Sequence, residues 1–112
     1  MATDPQDIFV NRRLVLHAKL VELLGSDNVY YQPPESIRLQ YPCIVYDLSG
    51  GDSKYADNIW YMLGRRFTVT HIHRDPDVDI MDSMGSEFIY SRFDRRFVSD
   101  NLYHDVYTLY YK

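Results

Sequence analysis

The chain has one cysteine, Cys43, in 112 residues. No disulfide can form within it, which fits a reducing compartment. No apolar run approaches the ~20 residues that cross a bilayer, and the start carries no signal-peptide pattern. A soluble intracellular protein with no membrane partner is therefore expected. Basic residues are in the minority, 12 Lys and Arg against 16 Asp and Glu for a net charge of -4. That balance argues against a dedicated nucleic-acid binder, which shows a basic face. There is no internal repeat. At this length residues 1–112 make one domain, able to bury a core without metal or disulfide.

Tyrosine is what the chain has in excess: 11, against five Phe and one Trp. Its apolar body and polar tip suit half-buried sheet faces and interfaces. Most of these residues are explained by β-propensity in a small sheet. So dense a set also points toward an oligomer.

Asp4-Pro5-Gln6-Asp7 signals a helix start, with a capping acid, proline at the first helical position and an acid near the positive dipole end. Phe9, Leu16, Leu20 and Leu23 follow at helical spacing, flanked by Val15 and Leu24, and Gly25 supplies a left-handed stop. The predicted helix spans Pro5 to Leu24, with Arg12, Arg13, Lys19 and Glu22 on its polar face. Val29-Tyr30-Tyr31 reads as a short strand ended by Pro33-Pro34. Glu35 to Gln40 is an irregular connector. Cys43 to Leu48 is a central strand broken by Gly50-Gly51.

A long strand is predicted from Asn58 to Arg74, with Gly64 as a bulge. Phe67, Val69 and His71 share one of its faces; Thr68, Thr70 and Ile72 share the other. Asp75-Pro76 repeats the helix-start signal and predicts a short helix with Val78, Met81 and Met84 at three-residue spacing, ending at Gly85. Two strands follow, Phe88 to Val98 and Leu102 to Tyr111, joined by a turn at Ser99-Asp100-Asn101. The fold class is α+β: a mixed or antiparallel sheet with an N-terminal helix and a second short helix on one face.

Chemical motifs are weak. His71-Ile72-His73 places two imidazoles on one side of a strand, and Cys43 or His104 would have to complete a zinc site. A bare His-x-His is more often two ordinary histidines. The acids Asp75, Asp77, Asp79 and Asp82 fail as a calcium loop. Ile80 and Ser86 stand where glycine and a bidentate Glu belong. Gly50-Gly51-Asp52-Ser53-Lys54 has the wrong order for a phosphate loop. The pairs Arg12-Arg13, Arg65-Arg66 and Arg95-Arg96 make no continuous basic stripe and are expected to pair with the abundant Asp residues. Cys43 reads as a core residue. No Ser–His–Asp arrangement is present, and neither catalytic residue, metal nor cofactor is expected.

The order of several short motifs resembles the tail terminator, or tail completion, proteins of long-tailed bacteriophages. They are Tyr41-Pro42-Cys43-Ile44-Val45-Tyr46, the loop ending Tyr55-Ala56-Asp57-Asn58, Arg66-Phe67-Thr68-Val69-Thr70, Arg74-Asp75-Pro76-Asp77 and Asp100-Asn101-Leu102-Tyr103-His104-Asp105. The resemblance runs from Tyr41 onward, with the leading helix in its expected place. It implies a virion protein assembled in the host cytoplasm: a ring, usually a hexamer, that stops tail-tube growth and docks the tail to the head connector. Implied partners are further copies of the chain, the tail tube protein and a head-completion protein. DNA would pass through the lumen without specific binding, and an acidic chain avoids gripping phosphates. The alternatives are a head-closure adaptor or another head–tail joining ring and, more distantly, a small metal-dependent enzyme using His71 and His73.

Two interface regions are expected. The loop Asp52, Ser53, Lys54, Tyr55, Ala56, Asp57 and Asn58 is far longer than the two to five residues a hairpin needs. The final strand carries large residues on both faces. The face of Tyr107, Leu109 and Tyr111 is expected to meet a neighbouring subunit.

Overall fold

The computed structural model describes residues 5–49 and 65–111, the side chains of 5–9 excepted. The loop expected at residues 50–58, the early part of the long strand and Gly64 lie outside the described residues, as do Asp4 and the Phe9 side chain.

Helix α1 spans Pro5–Leu24, roughly 30 Å at 1.5 Å per residue. It ends where Gly25 takes φ +79°, and the Gly25 and Ser26 amides both return to the Val21 carbonyl. Among its described side chains Leu16 and Leu20 are fully buried, while Leu23 and Leu24 pack partly against the core. Val15, expected to flank the buried stripe, is half exposed beside Leu14.

Among the described residues, five strands form one sheet in the order β1-β2-β3-β5-β4. They are β1 (Val29–Tyr31), β2 (Cys43–Leu48), β3 (Arg65–His73), β4 (Ser91–Ser99) and β5 (Leu102–Tyr111). β1 runs parallel to β2 and every other pairing is antiparallel. With helix α2, Met81–Glu87, this is the expected α+β architecture. β4 and β5 join through Asp100 and Asn101, at φ 55° and 62°, the left-handed pair that a two-residue hairpin turn requires.

The β3–β5 register stacks Phe67 on Leu109, Val69 on Tyr107 and His71 on Asp105. The main core lies on this face. Leu16 and Leu20 from α1 meet Ile44, Tyr46, Phe67 and Val69, and Met84 and Phe88 close the side toward Tyr107 and Leu109. Tyr46 is tied to the helix above it. Its hydroxyl accepts from Arg13 Nη1 at 3.2 Å and lies 2.8 Å from His17 Nδ1. His17 is held below its ordinary pKa by burial and by Arg13, so its neutral ring accepts the Tyr46 proton. The opposite face has a smaller cluster, Cys43, Ile72 and Leu102, with Tyr30, Leu39 and Tyr41 packed on it.

The segment after β3 departs from expectation. Asp75 opens a local turn, its carboxylate accepting from the Asp77 amide at 2.9 Å and its carbonyl from Val78 at 3.1 Å. Side chains that satisfy nearby amides compete with helix formation in this way. α2 therefore begins only at Met81, and Gly85 lies inside it rather than ending it. Val78 and Met81 are exposed, leaving Met84 as the buried residue of the expected stripe.

Candidate functional site

The described residues bring their chemistry together at one end of the main sheet face. His71 and His73 point inward from β3, 2% and 3% exposed, and Asp105 faces them from β5 with no exposed surface. Arg96 reaches in from β4, its cross-strand register partner being Asp105. Its Nε donates to Asp105 Oδ1 and its Nη2 to Oδ2 at 2.8 Å. His73 Nε2 lies 2.8 Å from the same Oδ2. Since a carboxylate only accepts, the His73 proton sits on Nε2.

Burial pushes the Asp105 carboxyl up, but the bonds from Arg96 and His73 outweigh it, and the group ends below its ordinary range. His71 has no such partner. Burial first, then the neighbouring His73, push it down to about 4. The two rings lie 4.4 Å apart and only 30° from parallel. His71 Nδ1 and His73 Nδ1 find no hydrogen-bond partner, and the buried Tyr107 hydroxyl lies toward the backbone of Ile80 without completing a bond.

Arg96 also fastens the outer segment. Its Nη1 donates to the Pro76 carbonyl at 2.8 Å and its Nη2 to the Val78 carbonyl at 2.9 Å. A helix begun at Pro76 would use those carbonyls for its own first turns. The guanidinium also lies over the Tyr103 ring at 5.3 Å.

Donor atoms from His71, His73 and Asp105 lie within 4.8 Å of one another, a spacing compatible with a cation. The third group is thus Asp105, not the Cys43 or His104 that a zinc site would have needed from the sequence. Cys43 sits in the cluster on the opposite face, and His104 stacks on Phe97 at 4.7 Å. Both Asp105 oxygens accept from the Arg96 guanidinium, and Oδ2 also faces His73. The cluster is a buried ion pair with a histidine attached, in agreement with the expected pairing of arginines with aspartates. Arg95, the other member of that arginine pair, turns to the opposite face and lies over Phe97 at 5.5 Å.

The expected interface on β5 requires correction. Tyr107 and Leu109 are 1% and 0% exposed within the chain itself. Phe93 covers Tyr107 edge-on at 5.4 Å, and half-buried Tyr111 packs edge-on against Phe88 at 6.0 Å. The helices and β4 supply the cover that a neighbour was expected to provide. Among the described residues, the less covered face is the other one. There Pro33, Ile37, Val45, Ile72, Phe97 and His104 line a concavity of about 350 Å³. Beside it runs β4, almost wholly exposed, with Val98 61% and Phe97 38% accessible. Sequence reasoning missed this surface because β4 reads as an ordinary strand. Its one signal is three arginines and an aspartate in nine residues, the charged composition of an edge strand. No protein-family model matches the chain, and neither a curated protein nor a solved structure matches it.

Proposed function

We propose that the protein is a non-enzymatic virion subunit that repeats as a closed ring, most simply a hexamer, at the head-proximal end of a phage tail tube. There it ends tube growth and joins the tail to the head connector, with DNA passing through the lumen unbound. The order of the motifs from Tyr41 onward supports the class. The observation that carries ring formation is the pairing of a nine-residue edge strand, β4, with an apolar concavity beside it that the described residues leave open. An edge strand offers unpaired backbone groups, and a head-to-tail contact through such a surface closes a ring when the rotation permits. The contact in this reading runs through Phe97, Val98 and Ile37, not Tyr107 and Leu109. A ring subunit also needs no reactive centre, and the one cluster of titratable groups in the described core is consumed by its own ion pair.

The test uses assembled particles carrying Phe97→Glu. Phe97 is 38% exposed, so the monomer should fold. Lengthened tails, or tails unable to join heads, are the expected outcome. Normal tails and full infectivity with the folded variant would remove this contact, and a reconstruction with a single copy at the neck would remove the ring.

A further inference from the structure

The segment from Asp75 to Ile80 lies beside the histidine pair: Asp75 and Val78 line a concavity with His73, and Asp79 acts on His71. Residues 74–79 are all exposed, and only Ile80 packs partly against the core. Its tie to the sheet is Arg96, through the Pro76 and Val78 carbonyls. The same guanidinium is bound to Asp105, which is bound to His73, against which His71 lies. We infer that this chain of contacts is an acid-sensitive clasp: while His71 is uncharged, Arg96 holds residues 75–80 on the sheet, and protonation of His71 releases them.

The physical basis is the company His71 keeps. From its own strand it faces His73, on which Tyr103 stacks; from β5, Asp105; from β4, Arg96; from the segment after β3, Asp79. Asp75 and Asp77 are at the surface of that segment. Asp79 and Asp105 favour a proton on His71, while burial, His73 and Arg96 oppose it, and the opposing groups prevail. A charged His71 would place its charge in a buried site, beside a second imidazole and near a guanidinium. Lifting of residues 75–80 would admit water to solvate it. Lifting exposes little apolar surface, so the sheet need not unfold with it.

The sign follows from the depressed value. With the segment released, His71 moves back toward its ordinary value of 6.5, and in the docked state it sits at about 4. Above 6.5 neither state binds the proton and docking is at full strength. Below 6.5 only the released state binds it, so docking weakens steadily down to about 4. Asp105 stays ionised through this window and Arg96 keeps its partner. Each unit of difference is a factor of ten. The released fraction should therefore rise on the order of a hundredfold between neutral pH and pH 4. This inference does not depend on the ring reading.

Hydrogen exchange tests it on the full chain, read by mass spectrometry across the same pH range and corrected for intrinsic rates. Amides of residues 77–84 should lose protection by on the order of ten- to a hundredfold relative to those of β3. In His71→Phe the same amides should keep their neutral-pH protection. If that variant does not fold, the His71 ring is titrated by NMR in the wild type, where it should stay neutral well below 6.5 and change in step with the exchange. A flat wild-type profile would overturn the clasp. So would an equal loss in His71→Phe, a loss shared by β3, or a His71 ring that titrates at its ordinary value.

Discussion

Replacing Arg96 with methionine tests whether the ion pair is a structural centre of the fold. The change removes both donors to Asp105 and both bonds to the Pro76 and Val78 carbonyls. It leaves a carboxylate with no exposed surface and one imidazole donor. Breaking a buried pair from one side costs about 3–5 kcal/mol, because the remaining charge stays buried without its partner. The Arg96 side chain is 30% exposed, which places the expectation at the low end, about 3 kcal/mol. That is a large part of the ~5–15 kcal/mol that holds a domain together. Asp105→Leu should cost a similar amount, since it strands the guanidinium and the His73 donor together. The double variant should cost clearly less than the sum, with a coupling of about 2 kcal/mol or more. Urea unfolding followed by circular dichroism gives all three values. A loss below about 1 kcal/mol for Arg96→Met, or a coupling near zero, would show that the pair is ornamental.

Two further outcomes follow from local geometry. Cys43 has no exposed surface, and burial pushes its thiol up to about 11. A thiol reagent at neutral pH should modify it at least about a hundredfold faster in denaturant than in the native protein, and equal rates would show that the second face is open. Asn101 holds φ 62° in the β4–β5 turn, so Asn101→Ala should cost about 1 kcal/mol while Asn101→Gly costs nothing. In thermal unfolding that separates the two by roughly 4–8 °C, and identical midpoints would place the turn elsewhere.

Much of the fold was legible because it is written in local signals. Pro5 and Gly25 bracket α1, since one fixes a helical φ and the other frees a left-handed one. Alternation in β3 and β5 fixed which residues share a face. The start of α2 was not legible. Asp75-Pro76 has the composition of a helix start, but whether Asp75 caps a helix or closes a turn depends on which carbonyls Arg96 captures from twenty residues away. The same holds for the site. His-x-His shows two imidazoles on one face, but no spacing announces that Asp105 is the residue opposite, because strand register is a property of the pair. Tyr107 and Leu109 were correctly placed together on one face of β5, but the sequence does not say which face the helices will cover.

Strand order also sets a timetable for synthesis. β4 is made before β5, yet β5 is the strand that pairs with it, and β5 is also the partner that β3 lacks on its second side. As the chain leaves the ribosome, α1, β1, β2 and β3 can assemble in turn, while β4 waits with both edges bare. At ~5–20 residues per second the wait is brief, but it ends only when residues through Tyr111 are free of the exit tunnel. Insertion of β5 then completes the two longest ladders of the sheet in one step. The last strand works as a latch, and a nascent chain stalled short of it would carry two sticky edges where the finished molecule carries none between β3 and β4.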